Sequence, residues 1–383
     1  MRARPAATVA VAAALLTACT ATPSPPPASP TGATTTSTTA TPPPPETVTI
    51  LGTGDVLLHQ GGSLVRGAAA AAGGAGYDFR PVLAPVAPII GAADVAVCHL
   101  ETPVAPPQGP FDGYPFFSVQ PQIVDALAAA GYDTCSTASN HSIDTGFDGL
   151  VRTLDALDAA GLEHTGTFRT EAESRTPLVI DAGGVRVGHV SWTYWLNGLR
   201  EPADRPWAVN DFDGTDPDAV PDLTAVLADA AAARRAGAEI VVASVHCCTE
   251  YRHDPVPAQD AIAATLLASP DVDLVLGHHA HVVQPIERIG GEWVAHGLGN
   301  HIAEHSSGPG TTADSVLARF TFTRGPDGRF AVTAAEAVPT RIRTDGGAAA
   351  VVPTPPGDPS HERVVEVLGR RGGYQAGLRV VPG

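Results

Sequence analysis

The stretch LVLGHHAHVVQPIE, Leu274 to Glu287, combines a short apolar run with three histidines, and it predicts both a strand and a site. The run Leu274–Leu276 has the character of a buried strand that ends at Gly277, where glycine lets the backbone turn sharply. His279 and His281 are two residues apart in the loop that follows, so both imidazoles can point at one metal cluster. A solvated histidine turn is the alternative for this stretch alone.

The N-terminus has the pattern of a targeting segment followed by a tether. Residues 1–19 contain a charged start, an apolar run from Val9 to Leu16, and the sequence LTAC ending at Cys19, which is similar to a bacterial lipoprotein box. This predicts lipidation of Cys19 and display on the extracytoplasmic face of the cell membrane, with a plain signal peptide as the alternative. Residues 20–46, which are almost all Pro, Thr, Ser and Ala, predict a disordered tether.

The formal net charge of −17 argues against nucleic acid as a partner, because such partners are held by broad positive surfaces. It does not argue against a phosphate bound at metal ions, since the ions supply the local positive field.

Short apolar strands alternate with alanine-rich helices over residues 47–343, which predicts an α/β domain with its site at strand carboxyl ends. The pattern predicts one helix over Val82–Ile90 and a hairpin over Leu178–Trp192 that turns at two glycines. The late run of strands, including Ser315–Phe322, predicts a second and more antiparallel sheet packed on the first. Residues 344–383, rich in Gly and Pro, are expected to form a weakly specified tail.

Four further junctions place a polar residue directly after a predicted strand. Asp55 is either a metal ligand or a helix N-cap. Glu101 is either a ligand or a partner in a structural salt bridge. Asn140 offers a neutral amide oxygen, and His141 beside it is a candidate acid or base. His246 ends the fourth strand.

Other polar residues near these junctions are assigned supporting roles. Asp144 precedes a predicted helix and is expected to cap it. His59 lies four residues after Asp55 and is a ligand or a surface histidine. The residues expected to lie around the ligands, without binding the ions, are His59, His99, His278, Glu250 and Asn300.

The six candidate ligands share a mixture of oxygen and nitrogen donors that suits Mn, Fe or Zn. They are Asp55, Glu101, Asn140, His246, His279 and His281. Two divalent ions ~3.5–4 Å apart would activate a water and hold the oxygens of a substrate, with His141 protonating the leaving group.

In order and spacing these residues resemble the CapA family of capsule or poly-γ-glutamate synthesis proteins, which are related to calcineurin-like metallophosphatases. The motifs that carry the resemblance lie between Val48 and Ala303 and include GDVLLH, HLETPV, STASNHSIDTG, SVHCCTEY, GHHAHVVQP and HGLGN. The resemblance implies a four-layer α/β/β/α sandwich with a dinuclear metal centre. It implies that Asp55 and His281 hold one ion, that Asn140, His246 and His279 hold the other, that Glu101 bridges them, and that His141 is catalytic.

The sequence departs from the family pattern at several positions around the ligands. His99 and Ser139 stand where the family usually has Asn, Cys247-Cys248 replaces Trp-Gly, and His301 replaces an aromatic residue. These changes leave every implied ligand in place but alter its surroundings.

Four cysteines remain after Cys19. Cys98 and Cys135 lie near the ends of predicted strands and can pair if those strands are neighbours. A bond between Cys247 and Cys248 would be strained, so we expect those thiols to stay unpaired.

The leading functional hypothesis is a membrane-anchored metallohydrolase, phosphoesterase-like, acting in biosynthesis of a capsule or poly-γ-glutamate polymer. Its expected partners are the polymer or its phosphorylated or γ-glutamyl precursor, and polymer synthase or export proteins. A scaffold that has lost turnover and an amide hydrolase on the same fold are the alternatives.

Overall fold

Two β-sheets form the centre of the structure, a computed structural model that describes residues 46–383 apart from 215, 217, 218, 306–309 and 345–348. The predicted signal peptide, Cys19 and all but the last residue of the predicted tether lie outside the described residues.

The first sheet has nine strands and combines a parallel half with an antiparallel half. Its strands are β1 (Thr47–Leu57), β2 (Val95–Leu100), β3 (Thr134–Ser136), β4 (Glu163–Thr165), β11 (Asn300–Ala303), β12 (Asp314–Arg324), β13 (Phe330–Arg343), β14 (Ala350–Pro353) and β15 (Leu378–Val380). The order is β14-β13-β12-β1-β2-β3-β4, with β11 pairing β1 and β15 pairing β13. From β1 to β4 the neighbours are parallel, whereas β12, β13 and β14 run antiparallel to their neighbours in that order.

The second sheet has six strands in the order β5-β6-β7-β8-β10-β9. They are β5 (Leu178–Ala182), β6 (Val185–Thr193), β7 (Ile240–His246), β8 (Leu274–His278), β9 (Ile286–Ile289) and β10 (Glu292–Ala295). Its four central strands are parallel, and antiparallel strands flank them on both edges.

Helices pack on the outer face of each sheet, with two exceptions. They are α1 (Ser63–Ala71), α2 (Arg80–Leu83), α3 (Ala87–Ile90), α4 (Gln122–Ala130), α5 (Gly146–Ala160), α6 (Glu171–Ser174), α7 (Thr224–Arg235), α8 (Pro257–Leu267) and α9 (Pro359–Leu368), and a 3-10 turn spans Gly310–Ala313. The exceptions are α6, which buries no side chain, and α9, whose apolar side chains enter the layer between the sheets.

Alternating side chains on the strands show how the layers stack. In β1, Ile50 enters the apolar layer between the two sheets, whereas Leu51 packs under the helices of the first sheet. In β7, Val242 enters the same central layer, whereas Val241 and Ala243 pack against α7 and α8. Because successive strand residues point to opposite faces, this alternation defines an α/β/β/α sandwich, which confirms the predicted fold class.

Three predictions about the fold were wrong. The late strands divide between the two sheets: β9 and β10 form an antiparallel edge of the second sheet, whereas β12 and β13 join the first sheet beside β1. The rest of the second sheet is built from the middle of the chain. The segment Val82–Ile90 is divided into α2 and α3, with Pro at the start of each. Residues 344–383 include β14, α9 and β15, and the ladders of β14 and β15 with β13 make this segment part of the first sheet. The domain boundary at 343 stays a prediction.

A disulfide joins β2 to β3, where Cys98 and Cys135 are register partners on adjacent parallel strands. The pairing expected for neighbouring strands is therefore present. Both residues are fully buried, so the bond lies within the apolar layer between the first sheet and its helices.

Candidate metal centre

The six predicted ligands come together where the carboxyl ends of strands from both sheets meet. Asp55 lies within β1, Glu101 directly follows β2, and Asn140 follows β3. His246 ends β7, and His279 and His281 follow β8. All six are buried, with at most 4% of any of them exposed.

The turn after β8 is made by the histidines themselves and not by the glycine. The strand continues through Gly277 to His278, and the backbone then enters the left-handed region at His279 (φ 82°) and His281 (φ 54°). Gly277 is needed for another reason, because a Cβ there would collide with the carbonyl oxygen of His296. The sharp-turn role expected of Gly277 was therefore wrong, and two ligand candidates carry backbone conformations that are costly for residues with a side chain.

Asp55 is held by the histidine turn. Its Oδ1 lies 3.1 Å from His278 Nδ1, and its Oδ2 accepts from the His279 amide at 3.2 Å and lies 3.2 Å from His281 Nδ1. Burial alone would raise the pKa of Asp55, but the hydrogen bonds and charges of His278 and His281 hold it well below its usual range. Asp55 is therefore a carboxylate, and it does not serve as the helix N-cap considered as the alternative.

His281 is oriented from both sides of its ring. Its Nδ1 lies 2.9 Å from Asn300 Oδ1, and its Nε2 lies 3.7 Å from Glu101 Oε1. Asn300 in turn donates to the His281 carbonyl at 3.4 Å. Burial opposes the charged form of His281, but the carboxylates of Glu101 and Asp55 raise its pKa to about 10.

A chain of hydrogen bonds sets the tautomer of His246. Ser136 Oγ donates to the Cys98 carbonyl at 3.3 Å, so it accepts from His99 Nδ1 at 2.8 Å. His99 Nε2 is then an acceptor, and His246 Nδ1, 2.8 Å away, carries the hydrogen. His99 thereby leaves His246 Nε2 with a bare lone pair.

The lone pair of His246 Nε2 faces two oxygen acceptors, and such a group of acceptors suits a bound cation. His246 Nε2 lies 2.9 Å from Asn140 Oδ1 and 3.8 Å from Glu101 Oε1. Asn140 uses its amide hydrogens on Asn197 Oδ1 at 3.2 Å, which keeps its oxygen turned toward His246. Three electron-pair donors converge on one point, and this convergence fits a metal ion.

Glu101 provides the second indication that a cation belongs here. Both of its carboxylate oxygens are buried without a hydrogen-bond partner among the described residues, and burial raises its pKa well above the usual range. A buried carboxylate without partners is costly unless a cation compensates its charge. Within this cluster, two groups of side chains have donor atoms that all lie within 4.8 Å of one another, and Glu101 belongs to both. One group is Asp55, His99, Glu101 and His246, and the other is Glu101, His279 and His281.

Three other histidines of the cluster, His99, His246 and His279, are neutral. Burial holds the pKa of His99 and His246 well below the usual range and lowers that of His279 to about 4. The Nδ1 atom of His279 is buried without a hydrogen-bond partner among the described residues. Since metals bind the neutral imidazole, these residues fit a site for divalent ions.

His141 lies beside the ligands and is oriented by Asp144. The buried Asp144 carboxylate accepts from His141 Nδ1 and from the Phe117 amide, both at 2.7 Å. Helix α5 has no side-chain cap, so the capping role expected of Asp144 was wrong. With Nδ1 committed to Asp144, His141 presents Nε2 for proton exchange, and Phe117 packs edge-on against the ring at 4.7 Å.

A cleft of about 540 Å³ opens at the cluster. Of the supporting residues expected from sequence, His59 and Glu250 line this cleft, whereas His99, His278 and Asn300 lie behind the ligands. Burial lowers the pKa of His59 to about 4, and its ring packs against Phe117 at 5.3 Å. His59 belongs to neither of the two groups of close donor atoms within this cluster.

Two residues of the site have no signal in the sequence motifs. Asn197, which holds Asn140, comes from the loop after β6. His305 lines the cleft, and its ring centroid lies 4.6 Å from that of His281 with the ring planes tilted by 50°. It follows the last recognisable motif by several residues. Only folding the chain brings them to the cluster.

A vicinal disulfide joins Cys247 to Cys248 directly after the candidate ligand His246, so the expectation of unpaired thiols was wrong. Cys248 adopts φ 90°, and this left-handed residue lets the backbone turn between the two thiols. Both cysteines are buried against α8.

The fold and the cluster together define an α/β/β/α protein with a candidate metal centre between two sheets. Residues 49–305 match the model for "Bacterial capsule synthesis protein PGA_cap", so the chain belongs to this family. The resemblance drawn from the motifs is thereby confirmed.

The chain is 26% identical over 204 residues to "Capsule biosynthesis protein CapA" of Bacillus anthracis, covering 53% of this chain and 47% of that protein. It is 30% identical over 235 residues to a "Probable polyglutamine synthesis accessory protein" of Mycobacterium tuberculosis (strain ATCC 25618 / H37Rv), covering 56% and 57%. The chain thus spans about half the length of these relatives. Among solved structures, calcineurin-like phosphoesterase YfkN from Bacillus subtilis aligns over 84% of this chain and 99% of its own, with a TM-score of 0.46 and 14% identity.

Over the residues that the structure describes, no helix combines the length and the apolar character needed to cross a bilayer.

Proposed function

We propose that this chain is a metal-dependent hydrolase of the phosphoesterase type that acts in the biosynthesis of a capsule or poly-γ-glutamate polymer, anchored to the extracytoplasmic face of the membrane through Cys19. The observation that carries the proposal is the convergence of Asn140 Oδ1, His246 Nε2 and the unpartnered Glu101 carboxylate beside an open cleft. The family match supports the biological setting.

In this proposal Asp55 and His281 hold one divalent ion, and Asn140, His246 and His279 hold the other. Glu101 would bridge the two ions, because its carboxylate belongs to both groups of close donors in this cluster. Those groups place Asp55 with His246 and His279 with His281, so the division of the other ligands between the ions rests on the family resemblance. When bound, such ions supply a Lewis acid and a water of lowered pKa. Mn, Fe and Zn all suit this mixed donor set.

His141 has the proton-transfer role. Asp144 fixes Nδ1, so Nε2 is the atom that gives a proton to the leaving oxygen of a substrate in the cleft. A scaffold that only binds metal has no need of a histidine held in this way, and the Asp144–His141 pair therefore favours an enzyme.

The test combines metal analysis with turnover on two substrate classes. Purified wild type should hold two divalent ions and hydrolyse a phosphoester such as 4-nitrophenyl phosphate. We expect His141→Ala to keep its metal and lose about 10²–10⁴-fold in kcat. The control is His164→Ala, whose ring binds Asp158 at the edge strand β4.

Two outcomes would contradict the proposal. Metal-loaded protein that turns over neither phosphoesters nor γ-glutamyl amides, with unchanged polymer production in cells carrying His141→Ala, would support the scaffold. Turnover confined to γ-glutamyl amides would assign the same centre to amide hydrolysis.

A further inference from the structure

The cleft at the metal centre has an unusual lining of exposed aromatic rings. Five large hydrophobic side chains are strongly exposed in the described part of the chain, and three of them line this cleft: Tyr114 at 80%, Phe116 at 52% and Tyr251 at 39%. Exposed aromatic rings gathered in one concave place mark a binding surface, because a folding chain otherwise buries them.

The segment that carries two of these rings is held in place at its base. Residues Asp112 and Ser118 exchange backbone hydrogen bonds at 2.9 and 3.0 Å, so Tyr114 and Phe116 lie in the turn between them. The next anchor is Phe117, whose amide donates to Asp144 and whose ring packs on His141. The same carboxylate thus fixes the catalytic histidine and the aromatic turn, which sets the rings at a defined place beside the site.

The charges of the cleft argue against a long polyanion as its occupant. The described residues that line it include the carboxylate of Glu250 but no arginine, and the whole sequence contains no lysine. A chain of glutamate residues would bring many carboxylates to a rim whose described lining holds no arginine and whose His281 is already paired with Asp55 and Glu101. Only a group bound directly at the metal ions would find its negative charge compensated.

The polar groups of the rim suit hydroxyls. Glu250 is half-buried, and its carboxylate accepts hydrogen bonds without donating any. Asn197 accepts from Asn140 at the inner end of the cleft and keeps its amide hydrogens as donors. Acceptors and donors beside flat apolar rings match a ligand that has one apolar face and a ring of hydroxyls at its edge.

We propose that this cleft binds a sugar residue, with its apolar C–H face stacked on Tyr114, Phe116 and Tyr251 and its hydroxyls bonded to Glu250 and Asn197. The inference rests on the proposed function, because it makes a sugar the group next to the bond that is cut at the metal centre. The substrate class is therefore a phosphorylated glycan or glycan precursor, and not the glutamate chain itself.

The experiment measures binding to the Mn²⁺-loaded full chain by calorimetry. The probes are glucose 1-phosphate, galactose 1-phosphate and N-acetylglucosamine 1-phosphate, compared with inorganic phosphate, adenosine monophosphate and a γ-linked glutamate oligomer. At least one sugar phosphate should bind about tenfold or more tightly than inorganic phosphate. Tyr114→Ala and Phe116→Ala should remove this advantage and leave the affinity for inorganic phosphate unchanged. Trp195→Ala is the control, because Trp195 is as exposed as Tyr251 but does not line the cleft.

The inference is overturned if none of the three sugar phosphates exceeds inorganic phosphate, or if the nucleotide or the glutamate oligomer binds more tightly than all of them. Those results leave the proposed hydrolase intact as long as phosphate binds and phosphoesters turn over. If phosphate does not bind, the phosphoesterase proposal fails instead. Saturation-transfer NMR with the neutral methyl glycosides of the same sugars then tests the sugar site by itself. The inference is refuted if wild type transfers no saturation to any glycoside, or if Tyr114→Ala transfers as much as wild type.

Discussion

Replacing Glu101 by glutamine tests the metal centre at the residue proposed to contact both ions. Glutamine keeps the shape of the side chain but has one neutral oxygen in place of a bridging carboxylate, so it should weaken both ion positions at once. In the metal-free protein the same change should not destabilise the fold, because it removes a charge that is buried without a hydrogen-bond partner.

The size of the metal effect can be estimated for the described domain. An ion present at 100 times its dissociation constant stabilises the folded state by about 2.7 kcal/mol. Unfolding entropy near 2.1 cal/mol/K per residue, over about 340 residues, is about 0.7 kcal/mol/K, so Tm should rise by about 4 °C. We expect a rise of less than about 1 °C for Glu101→Gln at the same metal concentration, because the ions no longer discriminate strongly between folded and unfolded chains.

The assay is calorimetric unfolding in EDTA and then with added Mn²⁺. In EDTA the pKa of Glu101 is raised in the folded state, so the stability linked to its proton is present at low pH and is lost as the pH rises through that pKa. The free energy of unfolding of Glu101→Gln, relative to that of wild type, should therefore rise as the pH increases.

Glu292→Gln is the matched control, since Glu292 is half-buried at the start of β10 and its pKa is also raised by burial. Glu292→Gln should show the same metal-dependent rise in Tm as wild type. The reasoning about the metal centre is refuted if Glu101→Gln and wild type are stabilised equally by the ion.

Three further perturbations probe other parts of the structure. Asp144→Asn should lower kcat by about 10²-fold or more at unchanged metal content, because His141 loses its orienting carboxylate, and an unaltered kcat would remove Asp144 from the mechanism. Replacing Cys98 and Cys135 by alanine should cost about 4 kcal/mol in urea unfolding, since the bond closes a loop with a sequence separation of 37, and equal stability with and without reductant would contradict this. Burial and the neighbouring Glu201 raise the pKa of Asp211 to about 6, so its contribution to stability is complete below pH ~4 and is lost as the pH rises through 6. Asp211→Asn should therefore stabilise the protein by about 1 kcal/mol at pH 8, after allowance for solvent screening, and by nothing at pH 4, with no pH-dependent difference counting against the assignment.

The strand ends could be predicted from sequence because each one is a local pattern. An apolar run followed by a polar residue marks the carboxyl end of a strand at four of the five junctions, those of Glu101, Asn140, His246 and the histidine turn. At the fifth, β1 continues through Asp55 to Leu57. Parallel strands then bring their carboxyl ends together without any further information. The α/β/β/α layers were implied by the family resemblance, and the alternation of side chains in the structure agrees with them.

Strand pairings and side-chain contacts between segments far apart in the sequence could not be predicted in the same way. Nothing local distinguishes a late strand that joins β1 from one that begins a new sheet, so β12 was assigned to the wrong sheet. Asp144 precedes a helix and has the residue type of an N-cap, and only the folded loop shows that its carboxylate is used by His141 and Phe117. Asn197 and His305 lie outside every motif, and their place at the site depends on loop paths that have no periodic signal.

The left-handed backbone at His279 and His281 should make the order of this turn dependent on bound metal. Each residue with a side chain in that region costs of order 1–3 kcal/mol, and the surrounding structure must supply that energy. Without an ion, the segment after β8, although buried, should open more often than in the metal-loaded protein, with faster amide hydrogen exchange and faster cleavage by proteases. Loading with metal should close it. Metal-free protein would then be cleaved more readily in this segment than metal-loaded protein, so the strained turn would act as a check on metal loading.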